Sequence, residues 1–160
     1  MKKSRLKNFD EKNLNDAIKQ ELYASLFYKN LANVMQSIGY FGCQKFFLEE
    51  SSSELEHYQG LVDFVNDRGC LAKISALPEF NEKFDSLKSA FDKALEIEEE
   101  LGDFYNTFYS ETEDEYVKEF ILKYIKIQRE SVGEYLDLLS RLELCGEDKS
   151  ALLLFDKEIA

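Results

Sequence analysis

Apolar residues recur every three or four positions through four long stretches of this chain, and this spacing most constrains its fold. The period matches one face of an α-helix. The single proline, Pro78, interrupts none of the four stretches, and Gly39 and Gly69 each follow directly after one of them. Glycine at such positions is typical of a helix C-terminus. Because no stretch alternates apolar and polar residues as a strand does, the pattern predicts an all-α protein.

The spacing predicts four helices that are each roughly 40 Å long, followed by a short apolar helix. Asp10 is the expected N-cap of the first. Two of the connections are short, whereas residues 70–83 form one long connection, and this arrangement predicts a four-helix bundle with a single long crossover. At 160 residues the chain fits a single domain, expected to span residues 1–160. The predicted helices cover about residues 10–38, 41–68, 84–109, 116–144 and 150–158.

The apolar stripe of each helix predicts the face that it buries. Leu136 belongs to the stripe of the fourth helix. The stripe of the first helix consists of Leu14, Ile18, Leu22, Leu26 and Leu31.

Polar residues with metal-binding groups interrupt this stripe on each of the four long helices. Glu21 lies three residues after Ile18, and Glu98 lies three before Leu101. Glu54 lies seven residues before Leu61. Residues three, four or seven apart share a helix face, so these side chains are expected to point into the bundle. The full set is Glu21, Glu54, His57, Glu98 and Gln128.

This inward polar set predicts a metal site. Burying one carboxylate without a partner costs several kcal/mol, whereas cations between several carboxylates offset their charge. Carboxylates with one imidazole and one amide suit iron or manganese better than structural zinc or copper. Glu54, central in the set, could bridge two metals while His57 binds one. A buried polar network without metal is the alternative for the same residues.

Charge and cysteine content exclude several other classes of function. The net charge of −12 disfavours nucleic acid and anionic membranes as partners, because both require a basic surface. No apolar window is long enough for a membrane span or a signal peptide, so we expect a cytoplasmic protein. The three cysteines form no CxxC pair, which excludes rubredoxin-type iron and structural zinc sites.

Three local motifs resemble the bacterial non-haem ferritins. The first is Glu21-Leu22-Tyr23-Ala24-Ser25 with Tyr28 beyond it, and the second is the ExxH motif Glu54-Leu55-Glu56-His57. The third runs from Gly146 to Glu158 and is similar to the short fifth helix of that family. The resemblance extends from Leu14 to Ile159.

The resemblance implies a function and a role for each residue. Glu21, Glu54 and His57 would form one iron site, and Glu54, Glu98 and Gln128 the other. Tyr28 would lie beside the two irons as a one-electron donor. The family oxidises Fe(II) with dioxygen or peroxide and stores the ferric product inside a homo-oligomeric shell of twenty-four subunits. The resemblance therefore implies an iron-storage ferroxidase that binds two iron ions per subunit and no haem.

Departures from the family pattern predict that a third iron site is weak or absent. Ser53, Ile127 and Ser131 stand where acidic residues are common, and only Glu130 remains nearby. Other relatives fit less well. Bacterioferritin has a haem-binding Met where this chain has Leu55, rubrerythrin needs cysteine pairs, and the mini-ferritins need more than one histidine.

Two further questions stay open at this point. The acidic turn at residues 111–115, together with Glu119, could line a channel for iron uptake, or its acids could simply stabilise the start of a helix. A metal-binding shell with little or no ferroxidase turnover, and a different di-iron oxidase on the same bundle, are alternatives to the storage ferroxidase.

Overall fold

A computed structural model describes residues 3–160, so the first two residues of the predicted domain lie outside the described part. It confirms the all-α prediction, since residues 3–160 contain helices and no strand. Helix α1 pairs with α2, helix α3 pairs with α4, and α5 packs on α2 and α4. The helices are α1 (Asn8–Ile38), α2 (Phe41–Asp67), α3 (Leu87–Glu111), α4 (Glu115–Cys145) and α5 (Lys149–Ile159).

Short turns join the helices within each pair, and one long connection joins the two pairs. Gly39 ends α1 in the left-handed conformation, at a φ of 90°, which glycine adopts without strain. Residues 68–86 form the predicted long crossover. Phe80 of the crossover lies 5.0 Å from Tyr23 of α1, measured between ring centroids. The backbone N–H of Lys73 donates to the side chain of Asn15, also on α1, at 2.7 Å. The crossover therefore runs along α1.

Helices α1 and α3 begin two and three residues away from their predicted starts, whereas α4 and α5 each begin one residue early. The prediction of Asp10 as N-cap is wrong, because α1 starts at Asn8 and Lys7 occupies the N-cap position. Asp10 instead points inward, where its carboxylate accepts a hydrogen bond from the Thr112 hydroxyl at 2.5 Å. Helix α3 starts at Leu87 because the Ser86 side chain caps it, accepting from the Ser89 backbone N–H at 3.1 Å.

Two leucines of the predicted apolar stripes are exposed, and Leu22 is only half-buried. Leu26 is 37% exposed and Leu136 is 49% exposed. Residues four apart drift by about 40° around a helix, so a run of such steps from Leu14 has left the core face by Leu26. Phe27 and Tyr28 are buried in its place, and Tyr135 occupies the core position next to Leu136.

Helix α5 closes one end of the bundle through Asp156. The carboxylate of this residue accepts hydrogen bonds from the backbone N–H groups of Gly42, at 3.1 Å, and Cys43, at 2.7 Å. Both N–H groups lie in the first turn of α2, where they have no partner within the helix. Phe155 is buried beside them, whereas Leu153 and Leu154 remain exposed.

No helix within residues 3–160 combines the length and the apolar character that crossing a membrane requires.

Candidate metal centre

One predicted metal-binding residue from each long helix is buried inside the bundle. Glu21 and Glu98 have no exposed surface, and Glu54 and Gln128 are each 2% exposed. The apolar residues three and seven positions away on the same helices also face the core. Among these neighbours, Ile18, Leu61, Leu101 and Ile121 are buried. The inward orientation of this polar set, inferred from spacing, agrees with the structure.

Glu21, Glu54 and His57 form a group in which each offers one ligand atom, all within 4.8 Å of one another. His57 Nδ1 lies 3.0 Å from Glu54 Oε2 and 3.7 Å from Glu21 Oε2. Since Glu54 and His57 are three residues apart on α2, they share the face that meets α1. These three residues have the donor types and proximity to hold one metal ion.

Glu98 and Gln128 meet on the facing helices α3 and α4. The Gln128 side-chain amide donates to Glu98 Oε2 at 2.6 Å and to the Glu98 backbone carbonyl at 3.3 Å. The Tyr28 hydroxyl donates to the other oxygen of the same carboxylate, Glu98 Oε1. The structure thus brings Tyr28 against the second half of the predicted centre.

Two buried oxygen atoms of this set have no hydrogen-bond partner within residues 3–160. They are Glu21 Oε2 and Gln128 Oε1, one in each half of the predicted centre. An acceptor left buried and unpaired costs about 1–3 kcal/mol, and more when it is charged. Metal ions bound between the helices would give both atoms a partner. The residues present therefore fit a pair of hard cations with oxygen-rich ligands.

Protonation of the metal-free centre follows from burial and from its like charges. Burial raises the pKa of Glu54 well above its usual range, and the neighbouring carboxylate of Glu21 raises this pKa further. Burial also raises the pKa of Glu98, against the hydrogen bonds from Tyr28 and Gln128. For His57, burial lowers the pKa, but the carboxylates of Glu21 and Glu54 outweigh burial and raise it to about 10. The metal-free centre therefore holds protons that a metal must displace.

Metal binding at this centre is expected to release protons and to weaken as the pH falls. His57 must lose its proton to bind a metal, and the protonated fraction of Glu54 must do the same. Each released proton lowers the affinity about tenfold for every pH unit of acidification. Calorimetric titration with Co(II), in buffers with different heats of ionisation, measures the protons released. An affinity that stays constant from about pH 8 to pH 6 contradicts this prediction.

The structure also places two tyrosines at the centre that the sequence argument did not assign to it. The Tyr105 hydroxyl donates to Glu21 Oε1, and the Tyr124 hydroxyl donates to the His57 backbone carbonyl at 2.9 Å. Tyr105 lies seven residues after Glu98 on α3, so its spacing indicated burial. Spacing alone could not show that its hydroxyl reaches α1.

Glu130 does not join the buried set. Its side chain is exposed, and one carboxylate oxygen lies 3.8 Å from the guanidinium of Arg129. Ser131 is half-buried, and Ser53 is exposed. We therefore keep the prediction that a third metal site is weak or absent.

Substituting Glu130 with alanine is expected to leave the number of metal ions bound per subunit unchanged. An exposed carboxylate paired with one arginine contributes little to a buried centre. Co(II) titration of the variant and the wild type tests this expectation. A stoichiometry that falls by one ion, with the buried pair of ions still bound, would reveal a third site.

The acidic turn between α3 and α4 has at least two structural roles. Asp114 caps α4 by accepting from the Tyr116 backbone N–H at 2.9 Å, and Glu113 pairs with Lys7 at 2.8 Å. Glu115 and Glu119 remain exposed. Asp114 and Glu113 thus fit the alternative of helix and loop stabilisation, and the exposed acids Glu111, Glu115 and Glu119 are left for the channel hypothesis.

Comparison with known proteins identifies the family. The family model for the ferritin-like domain matches residues 11–145. A bacterial non-heme ferritin from Staphylococcus aureus is 29% identical over 152 residues, which cover 91% of this chain and 90% of that protein. A probable bacterial non-heme ferritin-like protein from Haemophilus influenzae is 28% identical over 149 residues, covering 91% and 90%.

Solved structures agree with this assignment. An open pore ferritin from the archaeon Archaeoglobus fulgidus superposes with a TM-score of 0.93 at 30% identity, and the match covers 96% of this chain and 97% of that one. The match spans nearly the whole of both chains and therefore extends beyond the four long helices. With its ferritin-like domain and its relatives named as ferritins, this chain belongs to the ferritin family.

Proposed function

We propose that this protein stores iron and oxidises Fe(II) to Fe(III) at a dinuclear centre inside each bundle. Glu21, Glu54 and His57 would bind one Fe(II), and Glu54, Glu98 and Gln128 would bind the other. The observation that carries this proposal is the pair of unpartnered buried oxygens, Glu21 Oε2 and Gln128 Oε1, within residues 3–160. They lie on different helices, and a cation bound between the helices would give each oxygen the partner that it lacks.

Iron is the substrate of this reaction, and the oxidant is dioxygen or peroxide. Two Fe(II) ions lose one electron each, and these two electrons, with two protons, are enough to reduce one dioxygen molecule as far as the level of hydrogen peroxide. The protein supplies carboxylates that favour the more highly charged Fe(III) product over Fe(II). It also supplies a dry pocket, because the four ligands from the long helices are all at least 98% buried.

We further propose that the chain assembles into a homo-oligomeric shell of twenty-four subunits. Leu144, near the C-terminus of α4, is 89% exposed, and Leu153 and Leu154 on the following helix α5 are each 56% exposed. Leucines grouped on one exposed end of a bundle are typical of a subunit contact. Twenty-four chains of 18.7 kDa would give a particle of about 450 kDa, which light scattering coupled to size-exclusion chromatography measures. A stable dimer in solution would contradict storage inside a shell.

The proposed chemistry is tested by monitoring aerobic Fe(II) oxidation through its absorbance in the wild type and in Glu21→Ala. We expect the wild type to form ferric product quickly and the variant to slow at least roughly tenfold, because the first iron loses an unpaired buried ligand. The variant should keep the particle mass of the wild type. Slow oxidation in both proteins would favour the alternative of a metal-binding shell with little turnover.

A further inference from the structure

Two tyrosines contact the metal centre in a reciprocal arrangement. Tyr28 lies seven residues after Glu21 on α1, and Tyr105 lies seven residues after Glu98 on α3. Each tyrosine donates its hydroxyl hydrogen to the glutamate of the other helix, Tyr28 to Glu98 and Tyr105 to Glu21. Both rings are fully buried. The two halves of the centre therefore have the same Glu-to-Tyr spacing and crossed hydrogen bonds.

A second tyrosine ring stacks on each of the first two. Tyr105 stacks on Tyr124 with ring centroids 5.3 Å apart and an interplanar angle of 28°. Tyr28 stacks on Tyr135 at 6.3 Å and 2°. Contact between aromatic rings gives an electron a direct route between them. Each half of the centre thus contains an inner tyrosine bonded to a ligand carboxylate and an outer tyrosine stacked upon it.

The proton acceptor indicates which ring of the Tyr105–Tyr124 pair can be oxidised. A phenol that loses an electron becomes a strong acid and must pass its proton to a base. Tyr105 has a carboxylate oxygen of Glu21 as that base. Tyr124 has only the neutral backbone carbonyl of His57, and the Lys123 ammonium lies 5.3 Å from its ring centroid and opposes positive charge there. Oxidation is therefore favoured on Tyr105.

We propose that Tyr105 is a second one-electron donor to the centre, equivalent to Tyr28 but acting on the Glu21 side. This inference rests on the proposed ferroxidase function, with dioxygen as the oxidant. When Tyr105 is oxidised, its electron passes to the iron–oxygen reaction and its hydroxyl proton passes to Glu21 Oε1. The product is a neutral tyrosyl radical. A later Fe(II) returns the electron, and Glu21 returns the proton.

The electron count shows what two tyrosines would change. Reduction of dioxygen to two water molecules takes four electrons and four protons, and two Fe(II) ions supply only two of the electrons. Tyr28 and Tyr105 supply one electron each while Glu98 and Glu21 hold their hydroxyl protons, so solvent supplies all four protons. With both tyrosines present, the centre completes the reduction without releasing hydrogen peroxide.

Freeze-quenched electron paramagnetic resonance after mixing Fe(II) protein with dioxygen tests this proposal in the wild type, Tyr28→Phe, Tyr105→Phe and the double variant. We expect each single variant to show a roughly twofold lower tyrosyl radical yield and the double variant to show none. The double variant should also release hydrogen peroxide, measured by a peroxidase assay. Tyr116→Phe makes the same chemical change at an exposed position of α4 and should leave the radical yield unchanged.

Each other outcome counts against the proposal in a distinguishable way. If Tyr28→Phe oxidises iron as the wild type does but forms no radical, the whole radical signal belongs to Tyr28. That result overturns the proposal for Tyr105. A wild type that does not oxidise Fe(II) at all refutes the proposed function, and this inference with it. If Tyr105→Phe fails to fold, 3-fluorotyrosine at position 105 in Tyr28→Phe keeps the hydroxyl. A radical without fluorine hyperfine coupling then excludes Tyr105.

Discussion

Replacing Glu54 with alanine is expected to abolish metal binding at the centre and to slow Fe(II) oxidation at least roughly 100-fold, because Glu54 is the proposed ligand to both irons. It is 2% exposed, and its carboxylate lies 3.0 Å from the nitrogen of His57. The Glu98 carboxylate of the other proposed site is also close enough to raise the pKa of Glu54 through its like charge, which fits a ligand shared by the two sites. Co(II) titration and stopped-flow oxidation of Fe(II) measure the two effects separately.

Removing the charge of Glu54 while keeping the volume of its side chain should not destabilise the metal-free protein. Burial and the neighbouring Glu21 raise the pKa of Glu54, so its charged form is unfavourable when metal is absent. Glu54→Gln, which keeps the size of the side chain, should leave the free energy of unfolding in chelator unchanged or increase it by about 1 kcal/mol. A protein that is functionally disabled yet no less stable is typical of a residue retained for binding.

Glu56→Ala is the matched control for Glu54→Ala. Glu56 lies two residues along α2 and is exposed on the opposite face. The Glu56→Ala protein should bind metal and oxidise Fe(II) as the wild type does. If the Glu54→Ala protein still binds two metal ions per subunit, the assignment of Glu54 as a shared ligand is refuted.

Replacing Gly42 with alanine is the second prediction with a large effect, and it concerns the attachment of α5. A Cβ atom at position 42 would overlap the backbone carbonyl oxygen of Asp156 and would lie 2.7 Å from its carbonyl carbon. Backbone cannot yield as a flexible side chain does, so α5 must shift. The shift would also break the hydrogen bonds from Gly42 and Cys43 to the Asp156 carboxylate.

The expected result is a loss of about 2–4 kcal/mol in the free energy of unfolding. Alanine gains only about 1 kcal/mol in helix propensity, which the overlap and the lost hydrogen bonds outweigh. Chemical denaturation measures this loss. Hydrogen exchange should show that the backbone amides of α5 lose protection first.

Gly133→Ala is the matched control, with the opposite expected sign. Gly133 lies within α4, and apart from its two chain neighbours and the backbone of its own helix no atom of residues 3–160 would be within 4 Å of its added Cβ. Alanine there should stabilise the protein by about 0.5–1 kcal/mol through helix propensity alone. If both substitutions stabilise the protein to the same extent, the close packing of α5 on α2 is not present in solution.

Spacing along the helices predicted more of the candidate centre than of the helix ends. The positions of Glu21, Glu54, Glu98 and Gln128 within apolar stripes indicated burial, and all four are buried. A stripe is a strong signal because a long helix repeats it many times. Helix starts depend on a single turn and its capping bonds, which is why the first helix begins before Asp10 and the third after Phe84.

Contacts between helices could not be predicted in this way. The Tyr105 hydroxyl reaches Glu21 across 84 positions of sequence, and Thr112 reaches Asp10 across 102. Such contacts depend on the relative height and rotation of two helices, and no local pattern encodes either quantity. Leu26 shows the same limit, because its exposure depends on where the neighbouring helix lies.

By itself the sequence determined the helical class, the single long crossover and which donor atoms face inward, because each of these follows from the period of one helix. The tertiary structure decided which donors meet, which oxygens remain unpaired and which tyrosine bonds each carboxylate. It also decided that Asp156 caps the first turn of α2. These outcomes required the packing of separate helices, since a hydrogen bond forms only when donor and acceptor come within about 3 Å.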